Sequence, residues 1–85
     1  MTGGLNKGAI QRMHHELLPI ISQYEGNYIS KRNIVDYLLE KPSPWVAGLH
    51  PTYRGRLITM TMTQQMGWRP YSGTKNKEVR SFVRK

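Results

Sequence analysis

Punctuation limits what this chain can fold into more than any other feature of its sequence. Pro42 and Pro44 stop one apolar pattern, Pro51 opens the next and Gly67 ends it, so the helices must be short and must turn on one another. Ahead of these breaks, Ile10, Met13, Leu17, Ile21 and Tyr24 recur at steps of three and four. That spacing predicts a helix over about residues 9–25, preceded by a flexible, glycine-containing arm at 1–8. Pro19 has no N–H to offer the carbonyl of His15, which predicts a kink or a break near Leu18. Gly26 suits the left-handed position after a helix. Tyr28-Ile29 is long enough for one small strand. Ser30 stands where an N-cap belongs, and a second helix is expected over 31–40 with Ile34, Val35, Leu38 and Leu39 inward. From Lys41 to His50 the chain reads as a loop in which Trp45, Val46 and Leu49 fold back onto the core.

The third helix, expected over about 52–66 with Thr52 or His50 as its cap, carries the functional reading. At 100° per residue, Ile58, Met62, Gln65 and Met66 fall on one side, flanked by Thr61 and Arg54. Tyr53, Arg56, Thr59, Met60 and Thr63 fall on the other. No acidic residue occurs in this helix. Gly67 suits the turn that follows. Beyond it, Trp68–Tyr71 reads as extended, 72–77 as a polar turn and 78–84 as a β-prone return, which together make a basic hairpin over 68–84.

Charge follows the same division. The net charge of the 85 residues is +8. The first fifty hold five Lys/Arg against four acids, and the remainder hold eight against Glu78 alone. A positive field concentrated in one half attracts a polyanion, of which nucleic acid is the commonest. An anionic membrane surface is the rival. It fits less well, because no lysine-rich amphipathic helix accompanies the charge and no apolar run nears the roughly 20 residues of a membrane span. Cysteine is absent, which removes disulfides, thiolate zinc sites and thiol nucleophiles and suits a reducing, cytoplasmic setting. His14 and His15 are adjacent, so they diverge on a helix and do not share a metal with His50 easily. The five acids are scattered, and Asp36 and Glu40, beside Lys31, Arg32 and Lys41, read as a solvated, salt-bridged face. No nucleophile has a base at a usable spacing. An enzyme is not expected, nor a cofactor, nor a metal.

The order of elements, helix, short strand, helix, loop, helix, hairpin, predicts one mainly α domain over 9–85 with a small β-hairpin, of winged helix-turn-helix type. A helix fits the major groove of B-DNA, and a hairpin beside it sets Lys and Arg against phosphates. The run from Arg56 through Ile58, Met62 and Met66 to Gly67-Trp68-Arg69, then Val79-Arg80 and Phe82 with Arg84, resembles the C-terminal domain of virulence-associated, phage-type primase-helicases. Tyr28-Ile29-Ser30 and Ile34–Leu38 are similar in spacing to the helix that precedes it there. The resemblance spans residues 25–85. It implies a DNA-contacting accessory domain of phage or mobile-element origin, acting in replication or transcription control. The chain departs from that family in lacking its phosphate loop and acidic metal pair.

The DNA-binding residues expected on these grounds are Tyr53, Arg54, Arg56, Thr59, Met60 and Thr63 on the third helix, and Arg69, Lys75, Lys77, Arg80 and Arg84 in the wing. Duplex DNA is favoured over single strands. Trp68 is assigned to the core, whereas the rings of Tyr53 and Tyr71 can pack while their hydroxyls reach phosphate. The competing reading is a module that docks a replication or transcription protein. Convergence of the arginines on one surface favours DNA, while an exposed patch of Tyr53, Met60 and Trp45 favours a protein partner.

Overall fold

A computed structural model describes residues 7–71 and 79–84. It is mainly helical with one three-stranded antiparallel sheet. In chain order the elements are α1 (Lys7–Gln23), β1 (Tyr28–Ser30), α2 (Lys31–Glu40), α3 (Pro44–Ala47), α4 (Pro51–Gln64), β2 (Trp68–Tyr71) and β3 (Ser81–Arg84). The strands lie in the order β1-β3-β2, with Ile29 opposite Phe82 and Trp68 opposite Arg84.

Helix α1 begins two residues before the expected start, so Lys7 and Gly8 belong to it and not to an arm. It also runs through Pro19 without a break. Pro19 and His15 are both exposed, and on that face water can satisfy the carbonyl that proline leaves without a donor. Ile10, Met13, Leu17 and Ile21 form its buried stripe. Gly26 does not take the left-handed conformation; among the described glycines only Gly67 has a positive φ, at 78°. The need at Gly26 is room, because a Cβ there would come within 2.9 Å of the Tyr24 ring.

Ser30 caps α2, its hydroxyl accepting from the N–H of Asn33 at 3.0 Å. Ile34 and Leu38 are buried, four residues apart on one face. Val35 is half-buried, and Leu39, expected inward, is exposed. It follows Leu38 by 100° and so turns away from the core. The expected loop contains the single turn α3. Ser43 caps it by accepting from the N–H of Val46 and donates its own proton to Glu16 of α1 at 2.9 Å. Val46 is buried, while Trp45 and Leu49 are half-buried against the core.

His50 is the cap of α4, its Nδ1 accepting from the N–H of Thr52 at 3.1 Å, with Pro51 at the first helical position. The buried stripe of α4 is Leu57, Ile58, Thr61 and Met62. Gln65, expected on that side, is exposed, and Leu57 takes the inward place. Gln65 is the C-cap, its N–H still donating to the carbonyl of Thr61 at 2.8 Å, so it keeps the helical phase but sits at the helix end, where it stays exposed. Met66 packs half-buried on the core. Gly67 then turns the chain into β2. One core joins all layers, with Met13 and Leu17 of α1, Ile34 of α2, Ile58 and Met62 of α4, and Ile29, Trp68 and Phe82 of the sheet. Among the described residues no helix is long and apolar enough to cross a membrane.

Candidate nucleic-acid interface

Helix α4 is fixed from beneath by its four buried side chains and from the side by Thr61, whose hydroxyl donates to the carbonyl of Ile10 in α1 at 3.4 Å. What remains outward differs in detail from the sequence expectation. Arg56 is exposed, whereas Tyr53, Thr59, Met60 and Thr63 are half-buried, with Tyr53 and Met60 packed against the core. Thr59 donates to the carbonyl of Gly55 and Thr63 to that of Thr59, at 3.1 and 2.9 Å. Their protons are used inside the helix, so each can only accept from an outside donor. Arg54 is half-buried with its Nε buried and without a hydrogen-bond partner.

The sheet arginines separate into three situations. Arg69 is exposed on β2. Arg80 is exposed just before β3, beside the first turns of α2 and α4. Arg84 serves the fold. Its guanidinium donates to the carbonyls of Tyr24 and Gly26 at 2.8 and 2.9 Å and stacks 4.5 Å from the centroid of Trp68. Trp68 is 2% exposed, a core residue as expected. Tyr71 is half-exposed and meets Tyr28 edge-on at 6.3 Å. Lys75 and Lys77 lie outside the described residues.

Arg56 and Arg80 come together across an open groove of about 720 Å³. Its wall also carries Lys31 and Arg32 of α2, with Thr52 and Gly55 of α4. Among the described residues that line it there is no acid. Sequence reasoning assigned Lys31 and Arg32 to a salt-bridged face, yet Asp36 and Glu40 do not line this groove. One signal could have marked them. Two cations directly after a helix cap stand at the positive end of the macrodipole, where they oppose helix stability. Tyr53, Met60 and Trp45, the residues a docking module would expose, are each half-buried against the core. Among the described residues no three His, Asp or Glu come close enough to hold a metal ion.

Comparison of the chain with protein-family models, with curated proteins and with solved structures gave no match.

Proposed function

We propose that this protein is a non-catalytic DNA-binding module of winged helix-turn-helix type, with α4 as the helix that enters the major groove and the β2–β3 hairpin as the wing. The observation that carries the reading is the meeting of Arg56 and Arg80, 24 positions apart in sequence, on one groove whose described lining includes two further cations, Lys31 and Arg32. The sheet order supports it. Strand β3 returns between β1 and β2, which sets the two-stranded ribbon directly after α4 and against the same core. Arg69 is exposed on the ribbon, and the chain's +8 charge draws duplex DNA by its phosphates. Arg56, with the lone pairs of Thr59 and Thr63, supplies groups able to meet base edges. The role is in replication or transcription control, in the cytoplasm and without a cofactor.

Gel-shift titration of a mixed-sequence duplex at 50 mM salt tests the reading. Retardation of the duplex, stronger than that of either single strand, is expected. An unshifted duplex at that salt overturns it.

A second reading has one observation in its favour. A shallow depression between α1 and α2 is lined by Pro19, Ile20, Tyr24 and Tyr37, and Leu18 and Leu39 are exposed on the same helices. A surface of that kind suits a protein partner.

A further inference from the structure

The register of the sheet decides which side chains share its outer face. Residues directly opposite in an antiparallel pair point to the same side, as do residues two apart along a strand. Ile29, Trp68 and Phe82 are buried in the core, so the positions between them turn outward. One outward row is therefore Tyr28, Val83 and Arg69, and the next is Ser30, Ser81 and Tyr71. Tyr28 and Tyr71 are each 50% exposed, and Arg69 is exposed beside them. None of the three strands contains an acid.

The two rings are held in place. The hydroxyls of Tyr28 and Ser81 share a hydrogen bond at 2.7 Å, and the Tyr24 hydroxyl donates to the Tyr28 carbonyl at 2.5 Å. The Tyr28 ring thus reaches over β3 with its polar tip engaged, and what it offers outward is flat apolar surface. Tyr71 meets it at 75°, with centroids 6.3 Å apart. Planes set nearly at right angles make a corner that takes one planar ring, face against one tyrosine and edge against the other. Charge chooses among planar ligands. An arginine in the same row, about 10 Å from Tyr28 across two strand spacings, suits a ring that carries a phosphate, and the +8 chain draws a polyanion. A paired base already has both faces stacked in its duplex, so the base that fits is unpaired.

We infer that the outer face of the sheet is a second nucleic-acid site, where Tyr28 and Tyr71 stack an unpaired base of a DNA strand and Arg69 meets its phosphate. The inference rests on the DNA-binding reading for its choice of ligand and adds a contact away from α4. Ser81, bonded to Tyr28, directly follows Arg80 of the groove, so a strand leaving a duplex on α4 has a short path to the two rings. The arrangement favours a junction of duplex and single strand over blunt duplex.

Anisotropy titrations of the full chain compare a blunt duplex with the same duplex bearing an overhang of about ten thymidines. Tyr28→Leu, Tyr71→Leu, Tyr28→Phe and Tyr71→Phe are titrated alongside, and each is melted without DNA. The parent should bind the overhung duplex about 10-fold more tightly or better, the scale of one stacked base. Each Leu variant should lose that preference and each Phe variant should keep it. Tyr28→Phe removes the same bond to Ser81 as Tyr28→Leu, so loss in the Leu variant alone assigns the effect to the ring. Tyr71→Leu carries the test if Tyr28→Leu melts too low to use. Equal affinity of the parent for both duplexes overturns the site and leaves the duplex reading standing. A preference that survives in the Leu variants, or that disappears equally in the Phe variants, overturns stacking on these rings. A parent that binds only the overhung duplex, through the tyrosines, supports the site and removes the duplex reading. Binding to neither removes both.

Discussion

At Trp68 three kinds of contact meet in one side chain. Its ring is buried in the core, Tyr24 lies tilted at 6.2 Å, and the Arg84 guanidinium covers it at 4.5 Å. Truncating a buried ring of this size costs about 3–5 kcal/mol, and a domain this small has about 5 kcal/mol to lose. Trp68→Ala is therefore expected to unfold largely, as circular dichroism will show, with lost DNA affinity as a consequence. A folded Trp68→Ala protein lacking only affinity would contradict the core assignment. Arg84 leads to a different expectation from the other arginines. Because it ties β3 to the carbonyls that follow α1, Arg84→Ala should lower stability by about 1–3 kcal/mol in denaturant unfolding. It should leave the salt slope of DNA binding unchanged. A lower slope with unchanged stability would make Arg84 a phosphate contact after all.

At the scale of elements, helix bounds were legible wherever a cap is written in local chemistry. Ser30 and Pro51 mark their boundaries by side-chain acceptor and fixed φ, each a property of a single residue. The third helix, expected to run to residue 66, is capped at Gln65, and Gly67 supplies the positive-φ turn beyond it. Burial past the cap was harder to foresee. Leu39 and Gln65 carry apolar or amphipathic side chains at plausible angles, and only the packing of neighbouring elements decides that both face water. The groove was less legible still, because its cations come from positions 31, 32, 56 and 80 and meet only when β3 returns alongside β1. The fold contacts of Arg84 were hidden for a similar reason, its carbonyl partners lying about 60 residues earlier in the chain. In α1, Pro19 occupies an exposed position in a continuous helix. Pro19→Ala restores a donor to the His15 carbonyl and replaces the poorest helix former with the best. An increase in stability of about 1 kcal/mol or more is expected, which raises the melting temperature by about 4–8 °C for a domain of this size. A lower melting temperature would mean that α1 is bent at Pro19 to fit its neighbours.

For the molecule as a whole, the DNA-binding proposal turns on how many phosphates it neutralises at once. With about five to seven contacts, log K should fall against log salt with a slope of about −4 to −6. Anisotropy titrations between 50 and 200 mM salt measure it, and a slope near zero would mean that the positive surface is not what binds. The architecture also orders events in time. Strand β3 follows the other described elements in the chain, yet it is the middle strand of the sheet. During synthesis, which proceeds from the N-terminus, α1, β1, α2 and α4 emerge before any sheet can form. Until residues 81–84 arrive, β1 and β2 have no neighbour, Phe82 is missing from the core, and Arg80 has not reached the groove. The groove of Arg56 and Arg80 is thus assembled last, so a nascent chain halted before Ser81 carries most of the charge without the groove that gathers it.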